Sequence, residues 1–322
     1  MSDFADKIIL FDFWTYTCVN CVRTLPYLQD WHEKYADLGL LIVGVHTPEF
    51  DFEKLPENVA AAVADLGVGY AVAQDNERMT WNAYRVQAWP TKYIVDGDGF
   101  VRYYYRGEGA YADTELVIRF LLGEMGRDVS HIDPNTEPDP EPIAGTQATD
   151  FENFLTRELY AGTRRNIDFG GAYILNEEFY NAAGEVQEYT DPGEHRNHFL
   201  FLQGSWQSTE ESLEYAATDS SYEGYIGFRF FANEVNAVLN HMPGESYDFR
   251  VEIDGGPVPQ ASAGSDIQYD DEGNSYVTVD SARMYRLIRQ ADVTSHDLLL
   301  RPADDRFSVF AFTFGAYGED GN

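Results

Sequence analysis

Residues 7–125 switch repeatedly between the two-residue hydrophobic period of strands and the 3.6-residue period of helices. Lys7–Phe13 is a strand-like apolar run. Cys18–Leu38 follows with helical spacing and carries Pro26 inside it, where a bend is expected. Leu40–Val45 is a short unbroken apolar run, the pattern of a central strand buried on both faces. Glu53–Leu66 reads as a helix with a stripe of Ala60, Ala61, Ala62, Val63 and Leu66. Tyr70–Ala73 is the next strand and Glu77–Tyr84 the next helix. Lys92–Asp96 and Val101–Arg106 flank Gly97-Asp98-Gly99, a hairpin signal, and Thr114–Met125 closes the series as a helix. The order is β-α-β-α-β-α-β-β-α, which defines an α/β unit.

Beyond it the pattern changes. Asp133-Pro134-Asn135-Thr136-Glu137-Pro138-Asp139-Pro140-Glu141-Pro142 mixes proline with acid, a composition that favours an extended linker. A short helix is expected from Asp150 to Tyr160. After it come nine strand-like segments: Phe199–Gln203, Ser212–Ala216, Tyr225–Phe231, Glu234–Asn240, Tyr247–Ile253, Tyr276–Val279, Met284–Arg289, Asp297–Arg301 and Phe307–Phe314. They alternate apolar and polar residues between Gly, Asn, Asp and Pro turns, which predicts an all-β antiparallel sandwich, a jelly roll by strand count and spacing. The expected division is 1–127, a linker at 128–150, and a β-sandwich at 151–322.

Composition narrows the class. With 322 residues and 44% hydrophobic content, the chain can bury two separate cores. No apolar stretch approaches the ~20 residues of a membrane-spanning helix, and no secretory signal precedes the first strand. As written the chain reads as cytoplasmic. Fifty-five acidic residues face 22 basic ones, a formal net charge of −33. The acid is spread through the chain and lysine is scarce, being confined to Lys7, Lys34, Lys54 and Lys92. Such self-repulsion costs stability at low salt, which points to a protein of a salt-loving organism. It also excludes a nucleic-acid partner, because phosphate binding needs a basic face.

The chemistry is concentrated in Cys18-Val19-Asn20-Cys21, which holds both cysteines of the chain. The pair sits where a strand gives way to a helix, the arrangement thiol–disulfide exchange requires. A helix N-terminus offers free N–H groups and partial positive charge that favour thiolate at Cys18. A structural zinc site wants four ligands, and there is no second cysteine pair, so no metal is expected. Asp12, on the strand beneath the cysteines, is a candidate proton carrier for Cys21, its pKa raised by apolar neighbours. Glu49, just after the central strand, is by itself an ordinary loop acid, and His46 a core or loop histidine beside it. His195-Arg196-Asn197-His198 and Asp270-Asp271-Glu272-Gly273-Asn274 match no metal-site spacing and read as loops.

The segment DFWTYTCVNC resembles, without gaps, the active-site segment of thioredoxin-fold oxidoreductases. The resemblance makes Asp12 the buried aspartate of that fold, Pro26 the proline that kinks the active-site helix, and Trp89-Pro90-Thr91 the cis-proline element that faces the cysteines and meets substrate. The residue before the first cysteine is usually Trp and is Thr17 here, which alters the local substrate surface. The order of elements is similar to the TlpA-like or redoxin branch, where a glutamate often stands at the position of Glu49. Over nearly the whole chain, GVHTPEF, GEG at Gly107–Gly109, ELYAG at Glu158–Gly162, GSW at Gly204–Trp206 and FSVFAFTFG resemble the C-terminal soluble portion of the DipZ-type membrane thiol-redox family, which pairs such a domain with a sandwich similar to carbohydrate-binding modules. Members of that family are extracytoplasmic and carry residues before the first strand, usually with a membrane anchor; this chain starts almost at the strand, as a free-standing or truncated version.

The resemblance implies a thioredoxin fold with an appended β-sandwich, acting on protein thiols and disulfides through a Cys18–Cys21 pair, with an upstream redox partner and no other cofactor. Two alternatives stand beside it. Thr15-Tyr16-Thr17-Cys18 has the Thr-x-x-Cys spacing of thiol peroxidases, although Phe11 stands where those enzymes carry proline. A non-enzymatic binding protein would instead work through the sandwich, on a protein or on a carbohydrate stacked against Trp206, Tyr222, Tyr225 or Tyr247.

Overall fold

In a computed structural model, residues 6–135, 139, 154–181, 183–218, 221–241 and 244–317 are described. The chain divides into two compact units, Met1–Pro140 and Glu141–Gly321.

The first unit is built on β1 (Ile8–Trp14), with β2 (Leu40–His46), β3 (Ala71–Gln74), β4 (Thr91–Val95) and β5 (Val101–Arg106) in the order β3-β2-β1-β4-β5. β1 runs parallel to β2 and antiparallel to β4, so it lies at the middle of the sheet. Its even positions, Ile8, Leu10, Asp12 and Trp14, share one face with Ile42, Gly44 and His46; Phe11 and Phe13 take the other face with Val43 and Val45. Four helices complete the unit: α1 (Val19–Tyr35), α2 (Pro56–Asp65), α3 (Met79–Ala83) and α4 (Tyr111–Glu124). α1 starts one residue after Cys18, keeps Pro26 inside it, and buries Leu25, Leu28, Trp31 and Tyr35. Each such side chain contributes roughly 2 kcal/mol by leaving water. Among the described residues no helix is long and apolar enough to cross a membrane.

The predicted linker at 128–150 is in part tied down. Arg119 of α4 donates to the carbonyls of Val129 and Ile132 at 2.9 and 2.8 Å, and the buried Glu115 accepts the Asn135 N–H at 2.9 Å and the Tyr35 hydroxyl at 2.6 Å. The Asp139 carboxylate receives the N–H groups of Ala110 and Tyr111 at the start of α4, where a helix end favours an anion. Residues 136–138 and 140–150 lie outside the described residues.

In the second unit eleven strands, among the described residues, form one antiparallel sheet. The main order is β13 (Gln268–Tyr269), β14 (Ser275–Val279), β11 (Tyr247–Ile253), β15 (Arg283–Pro302), β10 (Tyr225–Asn240), β16 (Ser308–Gly315), β9 (Leu213–Tyr215), β8 (Leu200–Ser208) and β7 (Val186–Tyr189). β12 (Gly256–Pro257) joins β11, and β6 (Leu159–Tyr160) joins β16. The strands expected at Tyr225–Phe231 and Glu234–Asn240 are one strand, as are those at Met284–Arg289 and Asp297–Arg301. Bulges at Ala232/Glu234 and Val235/Asn236 mark the place where a break was expected. Past them β10 exchanges β8 for β16 as its second neighbour, while it keeps β15 on the other edge. A bulge thus bends the strand without ending it.

The helix expected at Asp150–Tyr160 does not form over 154–158, and Leu159–Tyr160 is strand; 150–153 lie outside the described residues. Tertiary hydrogen bonds outweigh helical spacing there. Thr156 donates to Asn197 Oδ1 at 2.6 Å and accepts the Phe231 N–H at 2.7 Å, and Leu159–Tyr160 pair with Phe312–Ala311.

Phe228 lies at the centre of this core, with the rings of Phe312 and Phe314 at 4.6 and 5.5 Å. Phe228→Ala should cost about 3–5 kcal/mol of unfolding free energy in a denaturant titration. A loss below about 1 kcal/mol would mean that the ring is not core.

Candidate active site

The chain leaves the end of β1 through Thr15, Tyr16 and Thr17 and enters α1 at Cys18, which acts as its N-cap: the Cys21 N–H donates to Cys18 Sγ at 3.2 Å. Neither cysteine is in a disulfide; Cys18 is half-buried and Cys21 buried. Cys18 is thus the more accessible of the two sulfurs. Burial pushes the Cys21 thiol well above its ordinary pKa, with Cys18 and Asp12 adding to the rise and a backbone contact at Thr15 opposing it.

Asp12 is the buried acid of the central strand. It lies between Gly44 on β2 and Lys92 on β4, its direct cross-strand neighbours. Burial raises its pKa to about 6, with Lys92 pulling the other way, and Oδ1 has no protein hydrogen-bond partner among the described residues. Lys92 is fully buried; its Nζ lies 3.5 Å from the Gly107 carbonyl and 5.8 and 5.6 Å from the ring centres of Tyr105 and Tyr111. Burial lowers its pKa, with Asp12 and Cys21 opposing. Gly44 is needed beside this pair, because a Cβ there would stand 2.8 Å from Trp14 Nε1 and 3.3 Å from the Tyr70 ring.

A second buried acid stands behind the cysteine loop, and it is Glu53. Its Oε1 accepts the Thr15 and Thr17 hydroxyls at 2.5 and 2.6 Å, and its Oε2 accepts the N–H groups of Glu49 and Phe50 at 2.6 and 3.0 Å. Glu49 itself is half-buried and supplies backbone to this cluster. Burial raises the Glu53 pKa to about 6 against the Thr15 and Thr17 hydroxyls and the Phe50 N–H, with the Glu49 charge adding to the rise. His46 is buried, stacked on Tyr16 at 5.5 Å with Nε2 3.3 Å from Thr15 Oγ1, and burial lowers its pKa to about 4.

The Trp89–Pro90 bond is cis, and Thr91 pairs with Phe13 on β1. Trp89 donates to the Thr47 carbonyl at 3.0 Å, and the Thr91 hydroxyl to Ala88 at 2.7 Å. The structure therefore gathers Cys18, Cys21, Asp12 and Thr17 at one end of β1, with the Thr91 strand beside it. Sequence reasoning missed Lys92 and Glu53. Lys92 is in phase with buried Ile94 on β4, which was a legible signal. The helix expected from Glu53 starts at Pro56, and Glu53 falls in a 3-10 turn, Asp51–Lys54, where its Oε2 accepts the N–H of the N-cap residue Phe50.

In the second unit, Trp206 and Tyr247 are core side chains, which removes them from the set expected to stack on sugar. Tyr225 is half-buried and bonded to Asp191 at 2.6 Å, and Arg250 covers the Tyr222 ring at 4.3 Å. His195 pairs with Asp191 at 3.0 Å, and His198 Nδ1 accepts the Arg157 N–H at 3.1 Å. Among the described residues no group of three or more His, Cys, Asp or Glu is placed to hold a metal ion.

A dithiol at the N-terminus of a helix, a buried acid beneath it and a cis-proline strand beside it define a thioredoxin-like redox protein. The chain matches the AhpC/TSA family over residues 1–104 and the thioredoxin-like C-terminal domain family over 156–315. It belongs to the thioredoxin-like redoxin family. It is 33% identical to the protein DipZ of Mycobacterium bovis over 318 residues, 98% of this chain but 40% of the relative, and DipZ of Mycobacterium tuberculosis matches equally. The thiol-disulfide oxidoreductase ResA of Geobacillus kaustophilus is 28% identical over 117 residues, 36% of this chain and 63% of the relative. A crystal structure of a thiol:disulfide interchange protein from Chlorobium tepidum aligns with 38% of this chain and 84% of its own, at 21% identity and a TM-score of 0.34.

Asp12 yields a signed stability prediction. A carboxyl whose pKa is about 6 when folded, against an ordinary 3.8, binds protons more tightly when folded, so its contribution is lost as pH rises from about 4 through 6. Asp12→Asn should therefore stabilise the reduced chain by roughly 1–3 kcal/mol at pH 7.5 and by little at pH 4. Equal effects at both pH values in urea unfolding would contradict the burial of a charged Asp12. Glu53→Ala leaves two hydroxyls and two N–H groups without their acceptor and should cost about 2–4 kcal/mol, read from the same titration.

Proposed function

We propose that the chain is a thiol–disulfide oxidoreductase acting on protein substrates through Cys18 and Cys21. The observation that carries this reading is the asymmetry of the pair: one sulfur is accessible at a helix N-terminus, and the other is buried, protonated and next to Asp12. The Cys18 thiolate attacks a substrate disulfide, forming a mixed disulfide and releasing one substrate thiol. Asp12 then takes the Cys21 proton, and the Cys21 sulfur attacks Cys18. The Cys18–Cys21 disulfide forms as the second substrate thiol leaves. Run backwards, the same steps oxidise a substrate dithiol. A redox partner resets the pair after each turnover.

Lys92 supports the carboxylate form of Asp12 by opposing charge, and Glu53 holds Thr17 and hence the approach to Cys18. Cis-Pro90 presents backbone to the substrate chain. Thr15 has its hydroxyl directed to Glu53, which favours dithiol exchange over the peroxidase alternative. For the second unit we read a jelly-roll sandwich from the strand pattern, supported by the unbroken burial of Ala232–Leu239 on β10. A protein ligand suits this unit better than a sugar, because Trp206 and Tyr247 are internal.

Cys21→Ser should accumulate mixed disulfides through Cys18 when mixed with oxidised protein substrate, visible on non-reducing gels and lost with added thiol. No trapped species, with Cys18 shown reactive to iodoacetamide, would contradict the mechanism. Asp12→Asn should slow the resolving step at least tenfold at pH 7 and abolish its pH dependence near 6, measured by stopped flow.

A further inference from the structure

A cleft of about 580 Å³ opens between the end of α3 and the sheet, lined by Tyr84, Arg85, Thr91, Tyr93, Tyr104 and Arg106 among others. Its position ties it to the dithiol. Thr91 directly follows cis-Pro90, pairs with Phe13 on β1 and with Arg106 on β5, and so stands at the end of the sheet from which the Cys18 loop departs. From Thr91 the cleft extends along β4 to Tyr93. An extended chain advances about 3.3 Å per residue, so a substrate cysteine held at cis-Pro90 would place its neighbours two to four positions away in this cleft.

The walls have a definite chemistry. The Tyr84 and Tyr93 rings meet edge to face at 5.1 Å, and Tyr93 and Tyr104 stack at 5.7 Å with 21° between planes. The Tyr93 hydroxyl is anchored on the Tyr84 carbonyl at 2.8 Å, which fixes this aromatic floor, while Tyr104 remains 64% exposed. Arg85 and Arg106 are both exposed at its rim, and Gln87 orients the Arg106 guanidinium through a 2.7 Å hydrogen bond. Among the described residues no carboxylate lines the cleft, although acids outnumber bases 55 to 22 in the chain. The charge lining the cleft is positive, at the sheet end that carries cis-Pro90, in a chain whose formal net charge is −33. Tyr and Arg are also the side chains that most often carry binding energy at protein interfaces.

We infer that this cleft is a subsite for the substrate segment next to its reactive cysteine, and that it selects a carboxylate accompanied by an aromatic side chain. The inference rests on the exchange reaction proposed above and names its substrate class. The carboxylate pairs with Arg85 or Arg106, and the ring lies against Tyr93 and Tyr104. Such a pair discriminates by binding, not by chemistry, because neither arginine belongs to the proton and sulfur steps.

The test uses the full chain, pre-reduced, in single turnovers with three disulfides. Two are peptides that differ only two to four residues on either side of one cysteine, Asp-Tyr in one and Lys-Ser in the other. The third is bis(2-hydroxyethyl) disulfide, too small and uncharged to need the cleft. The acidic aromatic peptide should react with a second-order rate constant about tenfold or more above the basic one, through a lower half-saturation concentration, and the gap should shrink with added salt. Arg85→Gln with Arg106→Gln should erase the gap and leave the small disulfide's rate unchanged. Equal rates for the two peptides in the unaltered chain, or a gap that survives in the double variant, would overturn the subsite. Failure of the unaltered chain to reduce even the small disulfide would instead remove the exchange reading, and the subsite with it.

Discussion

A carboxyl in the middle of a sheet is the constraint on which the first unit depends. Asp12 lies on the central strand, in register with Gly44 and Lys92, where ordinary packing would place an apolar side chain. Removing an acid from water is costly unless charge or proton compensates it. Here Lys92 supplies opposing charge from the neighbouring strand, and the raised pKa allows Asp12 to take up a proton near neutral pH. The same low-polarity surroundings keep Cys21 protonated. One burial decision thus sets the acid, its counter-charge and the resolving thiol together.

Glu53 solves a different problem, that of holding an irregular loop. Residues 15–17 leave the sheet before α1 begins, so their polar groups have no ladder to join. A single carboxylate gathers two hydroxyls from this loop and two N–H groups from the segment after β2. The loop that leads to Cys18 is consequently tied to two strands and not to one. His46 and Tyr16 pack against the same loop through ring stacking.

The second unit shows the limit of local pattern. Alternation located seven of the eleven described strands, but not their continuity: β10 and β15 run through positions that read as turns, because bulges absorb the irregularity while hydrogen bonding to each other persists. The short β6, β7, β12 and β13 were not legible: three of them have two residues each, and Val186–Tyr189 shows no apolar alternation. The helical spacing before Leu159 was overruled by pairing to β16, more than 150 residues downstream.

By itself the sequence determined the elements of the first unit, the reactive pair and the acid beneath it, because these depend on spacing along one strand and one turn. Asp12, Cys18 and Cys21 lie within ten residues of each other, and local rules reach that far. Only the tertiary structure decided which further groups face them. Lys92 reaches Asp12 by strand pairing across 80 residues, and Glu53 reaches Thr15 and Thr17 through a turn whose direction no periodicity encodes. The tyrosine and arginine cleft is likewise assembled from a helix end and two strands. Burial and cross-strand register, which set pKa values and pocket chemistry, are properties of packing and come into being only when distant segments meet.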